Sequence, residues 1–67
     1  MTTASVPAEI GQVRVDEDDD GEDFYLVTAV EERHVWVQTL HPVKRTAHGK
    51  PRRALRHQVE AYWRVEE

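Results

Sequence analysis

The chain has no cysteine, one phenylalanine and one methionine, and no apolar run long enough to approach a membrane span. Without thiols, both disulfides and thiolate metal sites are excluded, and these are the usual reinforcements of small scaffolds. A membrane helix needs about 20 predominantly apolar residues in a row, so no membrane association is expected. The opening MTTASVPAEIG has neither the basic stretch nor the apolar stretch of a secretory leader, and a cytoplasmic location is expected. Serine is scarce too. Ser5 stands alone near the amino terminus, so no nucleophile, base and orienting group can be assembled from this sequence, and the chain is expected not to be an enzyme.

A chain of 67 residues makes one domain. At that size folding hides only about 60 % of the unfolded surface, which leaves a thin core and no deep cleft. Residues 1–9 read as a flexible tail and residues 10–67 as a single small domain.

What the sequence does have is charge, and it is unevenly divided. Up to Glu32 there are ten acids (Glu9, Asp16, Glu17, Asp18, Asp19, Asp20, Glu22, Asp23, Glu31, Glu32) against Arg14, a balance of −9. Beyond it Arg33, Lys44, Arg45, Lys50, Arg52, Arg53, Arg56 and Arg64 face Glu60, Glu66 and Glu67, a balance of +5. The net −4 conceals a bipolar chain.

Apolar residues recur at short spacing among β-branched and aromatic neighbours, which reads as mostly β. IGQVRV (10–15) is a first strand, DFYLVTAVE (23–31) a second and RHVWVQTL (33–40) a third, the last two joined closely enough to form an antiparallel hairpin turning near Glu31 to His34. Alternation in the third strand puts Val35 and Val37 inward and His34, Trp36 and Gln38 on the other face, beside Tyr25 or its neighbours. HPVKRTAHGKP (41–51) reads as an exposed basic loop. RRALRH (52–57) is a fourth strand with Leu55 inward, and YWRVE (62–66) a fifth after a single helical turn at QVEA. A continuous helix over Arg52 to Trp63 is the alternative, because Ala54, Leu55, Val59, Tyr62 and Trp63 come close to a helical stripe and Pro51 suits a first turn.

Five short strands, a charged loop after the first, a tight hairpin and a brief turn before the last strand resemble an SH3-like small barrel over residues 10–66. IGQVRV, VTAVEERHVWVQTL and RRALRHQVEAYWRV are similar to segments of small barrel proteins of actinobacteria and their phages, mostly of unknown function. The resemblance implies a five-stranded, all-β, SH3-like barrel acting as a binding module, as in the KOW and Tudor branches. It also implies a phage or mobile-element protein that inhibits or redirects a host machine. This chain departs from a KOW pattern by placing acids in its first loop.

Three groups of residues are candidates for function. The acidic stretch VDEDDDGED (15–23) starts like a calcium loop, with Asp16, Asp18, Asp20 and Gly21 in D-x-D-x-D-G spacing. The twelfth position should be a bidentate glutamate and is Val27, so the shell cannot close locally and no metal is expected. Asp18, Asp19, Asp20, Glu22 and Asp23 instead form either a solvated loop or a surface that attracts a basic partner. His34, Trp36 and Gln38 form an outer face on which Trp36 is an interface anchor, unless it plugs the core against Trp63 or Tyr62. Lys44, Arg45, Lys50, Arg52, Arg53 and Arg56 supply enough charge for several phosphate contacts, the alternative being exposed pairing with the chain's own acids. His34, His41, His48 and His57 lack the close spacing of a zinc finger. The expected function is therefore protein–protein binding without a cofactor. The alternative is a nucleic-acid-binding accessory or transcription modulator using the 44–57 segment.

Overall fold

The alternation in YLV and VWV sets the middle of a sheet, because side chains two apart share a face and only one face can be dry throughout. The computed structural model describes residues 5 to 66. They form β1 (Val13–Asp18), β2 (Gly21–Val30), β3 (His34–Leu40), β4 (Ala47–Leu55), the helix α1 (Arg56–Tyr62) and β5 (Arg64–Val65). All five strands belong to one antiparallel sheet in the order β4-β3-β2-β1-β5. The mostly-β expectation holds, with one short helix among the described residues.

The core is thin, as the length requires. Tyr25 and Val27 of β2, Val35 and Val37 of β3, Val59 of α1 and Ala8 pack together, with Val30, Ala54 and Trp63 against them. The Trp63 ring stacks on Tyr25 with centroids 4.8 Å apart. On the opposite face the paired residues Val15, Phe24 and Leu40 make a smaller apolar row, with Val15 and Leu40 buried. The Arg45 guanidinium lies 4.1 Å from the Phe24 ring centre and caps that row.

Several expected boundaries move. The acidic stretch is not a loop between strands, because β1 and β2 run through it as a hairpin, pairing Asp16 with Asp23, Glu17 with Glu22 and Asp18 with Gly21. Only Asp19 and Asp20 form the turn, closed by the Asp20 N–H donating to Asp18 Oδ1 at 2.8 Å, with Gly21 at φ 132. β4 starts at Ala47, so the basic loop shrinks to residues 41–46. Its ladder slips between Val37 and Thr39, which pair with Arg52 and His48, leaving Gly49, Lys50 and Pro51 opposite Gln38. Gly49 at φ 76 permits that bulge, and Gln38 Nε2 donates to the Gly49 carbonyl at 2.7 Å.

The slip also corrects Leu55. Val35 pairs with Ala54, so Ala54 faces the core and Leu55 points away, 42 % exposed. Val59 from α1 occupies the neighbouring core volume. The strand followed by a short helical segment holds in outline, α1 extending the single turn at QVEA to Arg56–Tyr62, whereas the continuous helix over Arg52 to Trp63 is overturned because β4 pairing continues to Leu55. The Arg56 N–H donates to the Arg33 carbonyl at 2.9 Å, which anchors the helix start to the β2–β3 turn.

Arg14 organises the other end of α1. It is 1 % exposed, with Nη1 donating to the carbonyls of Trp63 at 2.7 Å and Val59 at 3.1 Å. Nη2 donates to the Val6 carbonyl at 2.6 Å and Nε to Gln12 Oε1 at 2.6 Å. Burial pushes its pKa down and the Glu60 carboxylate pushes it back up. One cation thus satisfies the helix C-terminus and clasps the preceding segment. Of the tail expected over 1–9, residues 1 to 4 lie outside the described residues. Further along, Ala8 is buried, its N–H donating to Glu60 Oε2 at 2.7 Å, and the Val6 N–H donates to the Glu60 carbonyl at 3.2 Å.

Candidate functional site

Period-two alternation places His34, Trp36 and Gln38 on the face of β3 away from the core, each half-buried, while Val35 and Val37 are fully covered. Trp36 pairs with Ala29 on one side and Arg53 on the other. Its neighbour across β2 is therefore Ala29 and not Tyr25, which faces the core. The β2 bulge between Val27 and Ala29 inserts Thr28, whose hydroxyl donates to the Trp36 carbonyl at 3.3 Å. With Ala29 small and β4 bulged, an open groove of about 500 Å³ forms, lined by Thr28, Ala29, Trp36, Lys50 and Pro51. The Trp36 indole N–H donates to Glu31 Oε1 at 2.9 Å, which fixes the ring at one end of the groove. The core-plug alternative for Trp36 is taken instead by Trp63.

The basic candidates divide sharply. Arg45 pairs with Glu66 at 2.7 Å and covers Phe24. Arg52 donates to the Tyr25 hydroxyl at 3.2 Å, and Arg56 pairs with Glu60 at 3.1 Å. Among the described residues Lys44, Lys50 and Arg53 have no carboxylate partner, and Lys50 and Arg53 stand beside Trp36. Among the described residues no ion pair joins the 44–57 segment to the acidic hairpin. Two of that hairpin's acids are paired from β5, where Arg64 bridges Glu17 and Glu22, the latter at 2.6 Å.

Asp19, Asp20 and Asp23 remain exposed at the hairpin end without an ion pair among the described residues. Asp16, on the core side, has its carboxyl pushed up by burial and by Asp18 and Asp23. Among the described residues no three His, Cys, Asp or Glu side chains are placed to hold a metal ion. No helix there is long and apolar enough to cross a membrane.

A second recess, lined by Glu32, Arg33, Leu55, Arg56, His57 and Glu60, lies where α1 meets the β2–β3 turn. Its central cation is already committed, Arg56 holding both Glu60 and the Glu31 carbonyl. The Trp36 groove combines an aromatic floor with uncommitted cations, and this recess does not.

Sequence reasoning found Trp36, Lys50 and Arg53 but missed Thr28, Ala29 and Pro51. The β2 bulge has no glycine or proline to announce it, and Pro51 reads first as a loop residue. No family model, no curated protein and no solved structure matches the chain.

Proposed function

We propose that the chain is a non-catalytic binding module, an SH3-like barrel that docks a protein partner on the outer face of β2, β3 and β4. The observation carrying this reading is Trp36. The core already has its aromatic pair in Tyr25 and Trp63, yet a second tryptophan is held half-exposed over an apolar groove with its ring fixed by Glu31. Large aromatics in desolvated pockets are where interface energy concentrates. The barrel reading draws support from the meander order and from the return of β5 to β1.

The test is capture of a partner from a lysate of the encoding cell by wild-type protein and by Trp36→Ala. Retained folding with lost capture is expected; capture that is indifferent to Trp36 overturns the reading.

A second reading, nucleic-acid binding, rests on Lys44, Lys50 and Arg53, which form no ion pair among the described residues. With Arg45, Arg52 and Arg56 committed elsewhere, few phosphate contacts remain. Neutralising Lys50, Arg52 and Arg53 together should flatten any salt dependence of DNA or RNA retention. No retention by wild-type protein at low salt ends this reading.

A further inference from the structure

We infer that the Trp36 groove selects an extended peptide segment of its partner in which an apolar side chain is followed by carboxylates, the apolar group on Trp36 and the carboxylates toward Lys50 and Arg53. This rests on the reading of that face as the docking site and adds the chemistry of what docks. Three observations carry it.

The first is the groove's lining. Ala29, Pro51, the Trp36 ring and the Thr28 methyl offer an apolar surface, while the Trp36 N–H, the polar edge of the ring, is already donated to Glu31. An arriving group therefore meets ring face and hydrocarbon, and an aliphatic or aromatic side chain fits that surface better than a polar one.

The second is charge. The groove has a negative end at Glu31 and a positive side at Lys50 and Arg53, and among the described residues neither cation is ion-paired to an acid of this chain. A partner carboxylate there gains attraction without breaking an internal pair. A partner cation would meet like charge on that side, so the arrangement sets the sign of the group that lies there.

The third is the edge itself. β4 is one of the two edge strands, but the bulge at Gly49, Lys50 and Pro51 breaks its register, and Pro51 has no N–H to donate. An incoming chain cannot simply add as a further strand along this stretch. Recognition falls to side chains over the groove and not to a backbone ladder.

The experiment uses Trp63→Phe protein, which keeps a ring stacked on Tyr25 and leaves Trp36 as the only indole. Its fluorescence is titrated with two pools of short peptides that share the same apolar positions, one filled in with Asp and Glu and the other with Lys and Arg. A third pool keeps the acids and replaces the apolar positions with Ser, and oligothymidylate serves as the nucleic-acid probe. The acidic apolar pool should bind at least about tenfold tighter than either other pool. The double variant Lys50→Glu/Arg53→Glu, checked for native circular dichroism, should lose that preference for acid.

Equal binding of acidic and basic pools overturns the inference while leaving Trp36 as a docking site. Oligothymidylate competing off the acidic pool overturns it in favour of the nucleic-acid reading. Absence of any Trp36 response to all probes overturns it as well, and the docking face itself then stands or falls with the capture experiment on Trp36→Ala.

Discussion

The Trp63 ring lies stacked on the Tyr25 ring, 18° from parallel, on the face of the sheet opposite Trp36. The two tryptophans therefore have different costs of removal. Trp63→Ala takes a partly buried ring off a core with few others and should cost up to about 3 kcal/mol, a large share of the stability of so small a domain. Trp36→Ala removes a half-exposed ring and should change stability by about 1 kcal/mol or less. Val37→Asp, which puts a carboxylate at a position 1 % exposed, should abolish cooperative melting. Thermal melts of the three variants check the assignment of faces.

Arg14 is the second point at which the fold can be broken selectively. Arg14→Met keeps much of the side-chain volume but withdraws the donors from the Val6, Val59 and Trp63 carbonyls. The Val59 carbonyl keeps the Trp63 N–H, but each of the other two left dry costs about 1–3 kcal/mol. Arg14→Lys should fall between wild type and Met, since one ammonium cannot span all three. Urea titration should show this order, and an unchanged midpoint in Arg14→Met would remove the clasp from the account.

The contrast between Arg14 and Trp36 shows what the sequence could reveal. Trp36, Val35 and Val37 were legible because alternation in a strand with one dry face leaves little choice of side. Arg14 was not, because its partners are backbone carbonyls brought from Val6, Val59 and Trp63, and no spacing records such contacts; in the sequence it is only one base in an acidic half. Leu55 was misplaced for a related reason. Its face depends on how many residues bulge out before it, and the Gly49 to Pro51 bulge looks like ordinary loop punctuation. In the sequence the acidic hairpin reads as a loop because acids are poor strand formers. There, cross-strand pairing and the Arg64 bridge override propensity.

Acid should act on two carboxyls with opposite sign. The Ala8 N–H and the Arg56 guanidinium hold the Glu60 carboxyl below its ordinary 4.5, so its contribution is complete above that pH and is lost as pH falls through the lower folded value. Burial, with Asp18 and Asp23, lifts Asp16 above its ordinary 3.8, so its ionisation opposes folding above the raised value and ceases to do so below 3.8. Glu60→Gln should lower the neutral-pH melting temperature and flatten its acid limb. Asp16→Asn should raise the neutral-pH melting temperature. Melts recorded from pH 7 downward separate the two.

The acidic hairpin should ignore calcium. Asp18 Oδ1 is committed to the Asp20 N–H, and Arg64 already bridges Glu17 and Glu22. Amide spectra of Asp16, Asp18, Asp20 and Gly21 should stay nearly unmoved in millimolar calcium; saturable shifts at micromolar calcium would show a site that this geometry does not support.

The central claim, that the partner docks on the Trp36 face and not on the acidic hairpin, is tested most directly by where a partner can be cross-linked. A photoreactive amino acid placed at Lys50, beside the groove, is compared with the same group placed at Asp19, at the hairpin turn. After irradiation in a lysate of the encoding cell, a protein adduct should form from position 50 and vanish in the Trp36→Ala background, with none from position 19. Adducts from position 19 alone, or adducts at position 50 that persist without Trp36, would contradict the account.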